Sequence, residues 1–92
     1  MNLSAIPFQN KDVYYCKVED EGLLVHNQQG KIRTINFVGD FIWNTVDGKN
    51  SIHQIIDLVK QEFNHQSDTI QSDVIHFLKE LNDRSLIYLT QV

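Results

Sequence analysis

Lys31-Ile32-Arg33-Thr34-Ile35-Asn36-Phe37-Val38-Gly39-Asp40-Phe41-Ile42-Trp43 is the stretch on which the fold turns. As far as Ile35 the chain reads as a strand, because β-branched residues suit a pleated surface. At Asn36 the pattern changes, since this side chain can cap a helix by accepting a bond from an orphan amide. Behind it, Val38, Phe41, Ile42 and Thr45 fall on one side of a helix, with Phe37 and Trp43 flanking. Strand-like sequence lies before residue 36 and helix-like sequence after it.

Toward the N-terminus, Gln28-Gln29-Gly30 forms a turn in which Gly30 can supply a positive φ. A second strand precedes it, from Leu23 to about Asn27. Glu19-Asp20-Glu21-Gly22 separates that strand from a first one over residues 12–18, which holds Val13, Tyr14, Tyr15, Cys16 and Val18. Links this short predict an antiparallel meander with Lys31 to Ile35 at its edge. Alternation sends Tyr14 and Tyr15 to opposite faces, one packed and one exposed. Residues 1–10, which hold the sole proline, Pro7, read as a lead-in.

Toward the C-terminus, Asp47-Gly48-Lys49-Asn50 stops the first helix. Ser51 and Gln54 then form a capping box. Ile52, Ile55, Ile56, Val59 and Phe63 make the apolar stripe of a second helix. Asn64-His65-Gln66 is a short loop, and Ser67 or Asp68 caps a third helix with the stripe Ile70, Val74, Phe77, Leu78 and Leu81. Ile87-Tyr88-Leu89 is either a last short strand or a tail packed on the core. Three strands followed by three helices predict an α+β domain. The brief link between the second and third helices gives helix-turn-helix geometry with the sheet as its wing. Trp43, Phe41, Ile55, Ile56, Val59, Phe77, Leu78 and Leu81 should converge in one core.

Length and charge narrow the function. A chain of 92 residues suits a single domain, here 1–92, too small for a large buried active-site cavity. A formal net charge of -4 is a poor match for nucleic acid or an anionic membrane. The single thiol, the lack of a basic, apolar N-terminal signal and the lack of a spanning apolar run predict a cytoplasmic protein.

Catalytic patterns are missing. His26, His53, His65 and His76 show no ligand spacing with one another, with a Cys or with a carboxylate, and read as surface or rim residues. Cys16 lies in a strand away from any helix N-terminus and reads as a small buried or half-buried residue. The pairs Asp20 with Glu21 and Asp73 with Glu80 read as solvated turn and helix-face residues. No phosphate-binding glycine loop and no nucleophile elbow occur. Trp43 reads as the largest core filler rather than a stacking group. The edge strand is the informative feature. Lys31 and Arg33 can blunt it, but it has no proline, so it can accept an extended peptide as an extra strand.

From Gly30 onward the chain resembles the PqqD-like family of precursor-recognition domains for ribosomally made, modified peptides. The resemblance runs through Gly30-Lys31-Ile32-Arg33-Thr34-Ile35-Asn36, Val38-Gly39, Ile42-Trp43, Asp47-Gly48, Ile52, Ile55-Ile56, Val59, Phe63, Asp73-Val74, Phe77-Leu78, Leu81 and Leu86-Ile87. Two positions depart from the family pattern: Thr34 in a strand usually aromatic or leucine-rich, and Ser85 where a glycine often precedes the final Leu-Ile. The resemblance implies a winged helix-turn-helix that takes a leader peptide as an antiparallel strand on its third strand, against its third helix. By position, the peptide-binding residues are then Lys31, Ile32, Arg33, Thr34 and Ile35 on the edge. Asp73, Val74 and Phe77 line the helix wall, with His76 and Glu80 toward the rim. It also implies a separate partner, a radical-SAM enzyme of quinone-cofactor biosynthesis or a leader peptidase of lasso-peptide systems. Neither catalysis nor a cofactor is implied for the chain itself. Lys31 and Arg33 favour an acidic leader, and a bare edge also allows a homodimer.

Other functions compete. A DNA-binding winged helix shares the architecture, but its recognition helix would carry Asp68, Asp73, Glu80 and Asp83 against Lys79 and Arg84. A small enzyme lacks a nucleophile-base pair or metal ligands. A purely structural subunit has no distinguishing mark in the sequence.

Overall fold

Alternation along the N-terminal strands decides which residues meet the helices. The computed structural model describes residues 2–63 and 68–90. Its elements are β1 (Ile6–Gln9), β2 (Val13–Val18), β3 (Glu21–His26), β4 (Lys31–Ile35), α1 (Phe37–Thr45), α2 (Ile52–Glu62), α3 (Asp68–Asp83) and β5 (Ile87–Thr90). The loop expected at residues 64–66 and the cap at Ser67 or Asp68 lie outside the described residues and side chains.

β2, β3 and β4 form the antiparallel meander in that order, so β4 is an edge strand. Val18 pairs with Glu21 and His26 with Lys31. The first turn is therefore only Glu19-Asp20, tighter than the four-residue break read from the sequence, and Glu19 takes φ 57° to close it. Gly30 takes φ 65°, as the turn before β4 requires.

One sheet face turns outward. Tyr14, Val25 and Ile32 are register neighbours there, with Tyr14 65% and Ile32 62% exposed. Cys16 shares that parity and is exposed, which corrects its reading as a buried or half-buried residue. Tyr15, Leu24 and Ile35 turn inward; Tyr15 stacks on Trp43 at 6.4 Å between ring centroids.

The helices are capped as their sequences dictate. Asn36 Oδ1 accepts from the Gly39 N–H at 2.9 Å. The Ser51–Gln54 box is complete, with the Gln54 N–H donating to Ser51 Oγ and the Ser51 N–H to Gln54 Oε1. α3 ends in a Schellman arrangement: the Leu86 N–H reaches the Leu81 carbonyl at 2.9 Å and the Ser85 N–H the Asn82 carbonyl at 3.0 Å. Ser85 stands at the left-handed position, φ 61°, where glycine is the usual residue.

The core joins Trp43, 2% exposed, to Leu24, Ile35, Ile55, Ile56, Val59, Val74, Leu78 and Leu81. Each large apolar side chain buried there contributes roughly 1.5–3 kcal/mol. Phe41 and Phe77 are only partly buried and pack on its margin. The inward face of α1 is rotated from the expected stripe, because Gly39, Asp40, Ile42 and Trp43 are its buried residues.

Asp40 is the unexpected one. Its carboxylate accepts from the Tyr15 hydroxyl and pairs with Lys17 Nζ at 3.1 Å, tying α1 to β2. Burial and the neighbouring carboxylate push the Tyr15 phenol above its ordinary pKa. A Cβ on Gly22 would lie 2.7 Å from Asp40 Oδ1, so this contact requires glycine.

β1 and β5 form a separate antiparallel pair, with Ile6 opposite Thr90. Residues 6–9, read as lead-in, are thus a strand, and Ile87 to Thr90 is the strand alternative of the tail. Among the described residues, no helix is long and apolar enough to cross a membrane.

Candidate functional site: the groove between β4 and α3

The inward parity of β4 carries Lys31, Arg33 and Ile35; Ile32 and Thr34 point the other way. One edge of β4 bonds to β3, and the sheet ends at the other. Across from the inward residues stands α3. Arg33 Nε donates to Glu80 Oε2 at 2.6 Å, and Arg33 Nη2 to Glu80 Oε1 at 3.2 Å. Arg84, one helical turn beyond, also reaches Glu80 Oε2 through its Nε, at 3.1 Å. The guanidinium of Arg33 holds the Glu80 carboxyl below the usual glutamate range, and Glu80 raises Arg33 in return.

Further along, a Cβ built on Gly39 would fall 3.0 Å from the Phe77 ring and 3.1 Å from Ile35 Cβ. Glycine at 39 therefore lets Phe77 settle against α1 beside Ile35. β4 and α3 consequently run in opposite directions. Ile35 lies near Phe77, Arg33 at Glu80, and Lys31 near the last turn of α3. The groove has an apolar end at Ile35 and Phe77 and a charged end at Lys31. A cavity of about 220 Å³ opens at the charged end, lined by His26, Lys31, Arg33, Asp83, Arg84 and Leu86.

The residues named from the sequence divide on this geometry. Lys31, Ile32 and Thr34 are exposed on the edge strand, and Arg33, Phe77 and Glu80 are half-buried around the groove. Ile35 and Val74 are core side chains, which support the groove from beneath. Asp73 is exposed beside Val38, Phe63 and Ile70. His76 is exposed and lines a hollow with Asn2, Ala5 and Leu89 beside the N-terminal segment. Glu80 is not simply a solvated helix-face residue, since two guanidinium groups converge on it.

His26 is buried, not a surface residue; its inward parity packs it, and its Nδ1 accepts from the Gln29 N–H at 3.3 Å. Sequence reasoning missed His26, Asp83, Arg84 and Gly39 as shapers of the groove. The i, i+4 spacing of Glu80 and Arg84 was the one local signal for any of them. Among the described residues, no group of three or more His, Cys, Asp or Glu side chains gathers to hold a metal ion.

The fold and groove define an α+β domain of winged-helix type whose edge strand lies open beside a helix. The profile of coenzyme PQQ synthesis protein D (PqqD) matches residues 21–87. The chain belongs to the PqqD family. Two solved structures share its fold. TbiB1 in complex with the TbiA(beta) leader peptide is 26% identical, with a TM-score of 0.76 over 87% of this chain and 93% of that one. Lasso peptide synthetase B1 complexed with the leader peptide is 11% identical, with a TM-score of 0.79 over 91% of this chain and 99% of that one, a likeness of fold alone. No curated protein sequence matches the chain.

Proposed function

We propose that this protein binds the leader segment of a ribosomal precursor peptide and presents it to a separate enzyme, doing no chemistry itself. The observation that carries this is the open edge of β4 facing α3 across a groove with one apolar and one charged end. The TbiB1 complex supports it, being a leader-peptide complex of a chain 26% identical to this one. The leader adds antiparallel to Lys31–Ile35, and backbone bonds supply affinity that side-chain contacts then make selective. Phe77 and Glu80 face it from α3 and Val74 supports that wall, while Asp73, beside Val38 and Phe63, and His76, beside Ala5 and Leu89, line hollows that hold no β4 residue.

The partner is a modifying enzyme or peptidase in the cytoplasm, a radical-SAM enzyme of quinone-cofactor biosynthesis or a leader peptidase of lasso-peptide type. Two empty copies can pair through the same edge as a homodimer. The exposed acids Asp73 and Asp83 on α3 oppose a phosphate-lined groove, so DNA is disfavoured as the ligand.

Isotope-labelled protein titrated with the leader of a precursor encoded beside its gene tests the reading. Amide shifts should concentrate on β4 and α3. Shifts confined to α2 or β2 defeat strand addition.

A further inference from the structure

The charged end of the groove has more positive than negative groups. Lys31, Arg33 and Arg84 stand against Glu80 and Asp83 around one cavity, in a chain whose net charge is -4. Arg33 is committed, because its Nε and Nη2 grip Glu80 and its Nη1 donates to the Thr34 carbonyl. Arg84 spends only its Nε on Glu80, and among the described residues no ion pair engages Lys31. Glu80 is thus saturated by two guanidinium groups, while the Lys31 ammonium and the outer nitrogens of Arg84 remain available. Leu86, buried at the back, gives the cavity an apolar wall that strengthens a charge-assisted bond made there.

We infer that this cavity receives a carboxylate side chain of the bound peptide, held between Lys31 and Arg84. The inference rests on the leader-binding reading above and adds a position to it. A peptide antiparallel to β4 starts beside Ile35 and ends beside Lys31. Its inward side chains recur at every second residue. The bound segment therefore carries an apolar residue over Phe77, and an aspartate or glutamate at an even spacing, roughly two to four residues toward its C-terminus. An odd spacing would turn the acid to the outer sheet face, away from the cavity.

The test is selection of a displayed library of random peptides on the full chain. Selected sequences are then made with amidated C-termini, which excludes the peptide's own terminal carboxylate as the ligand. Enriched peptides should combine an apolar residue with a downstream acid at even spacing. Replacing that acid by its amide should weaken binding to the wild type roughly tenfold, the range of a hydrogen bond to a charged group. The same replacement should matter little in Lys31→Gln/Arg84→Gln, two exposed positions whose change leaves the core intact; circular dichroism checks the fold. Enrichment of apolar residues without an acid, or an amide peptide that binds within twofold of the acid, overturns the carboxylate site alone. If nothing is enriched, or if binding survives proline at both Arg33 and Thr34 in folded protein, the leader-binding reading falls and the carboxylate site falls with it.

Discussion

Arg33 on the edge strand and Glu80 on α3 grip each other through two hydrogen bonds, so the two walls of the groove are joined across it. Both side chains are about one-third exposed, at 32% and 35%, so solvent screening limits the energy of the pair. A double-mutant cycle with Arg33→Met and Glu80→Gln should give a coupling of about 0.5–1 kcal/mol in urea melts. Glu80 has a depressed pKa when folded, so its contribution is present at neutral pH. It is lost as the pH falls through and below the ordinary glutamate value, about 4.3. Glu80→Gln should flatten the stability profile in that acid range, and an unchanged profile would show that the pair adds nothing.

Ser85 occupies a left-handed backbone position in the cap of α3. A side chain there costs roughly 1–2 kcal/mol, offset in part by the greater unfolded freedom of glycine. Ser85→Gly should therefore raise the thermal midpoint, by up to about 1 kcal/mol of stability. Ser85→Val should lower it.

Trp43 is the largest side chain in the core and lies against Tyr15. Trp43→Ala should cost about 3–5 kcal/mol through the cavity it leaves. A melt that matches the wild type would place the indole outside the core.

Gly39 separates effects on stability from effects on binding. A methyl group at 39 presses on the Phe77 ring at 3.0 Å and on Ile35 Cβ at 3.1 Å, the two residues at the apolar end of the groove. Gly39→Ala should cost about 1–3 kcal/mol by overpacking. It should also weaken peptide capture beyond the level seen in an equally destabilised core variant such as Val59→Ala.

The edge itself is tested by removing donors. Thr34→Pro deletes one N–H of β4, and Arg33→Pro or Ile35→Pro deletes its neighbours, so the outward donor is covered in either register. The variant that loses the outward N–H should keep its circular dichroism and lose peptide binding. Equal binding by every folded proline variant would rule out an added strand.

Local chemistry was legible in the sequence, and contacts between distant segments were not. Asn36, Gly30 and the Ser51–Gln54 box act within a few residues, and all three stand as their spacing predicts. The stripes of α2 and α3 are long enough for periodicity to settle which side is buried. α1 has only nine residues, so a rotation that buries Gly39 and Asp40 was within its ambiguity. Asp40 in a first helical turn reads as an exposed residue favoured by the helix dipole. Only the fold brings Tyr15 and Lys17, two residues apart on one strand face, to its carboxylate. Parity placed Tyr14 and Tyr15 on opposite faces and Cys16 with Tyr14, but which face meets the helices is decided by the fold. For the groove, sequence and family resemblance pointed to the edge and the helix. The charged cavity needed Arg84 from α3 and His26 from β3 beside Lys31, a grouping without a sequence period.

Ile6 and Thr90 are register partners separated by most of the chain. The loop they close is nearly as long as the protein, and closing it costs the most chain entropy of any contact pair here. The meander closes locally and the contacts of α3 with the sheet, such as Arg33 with Glu80, span about half the chain, so the β1–β5 ribbon should form last, on a nearly finished core. A circular permutant that links residue 90 to residue 6 and opens the chain at Gln28-Gln29 would turn the slowest contact into a local hairpin. It would also make the meander's β3–β4 pairing the long-range step.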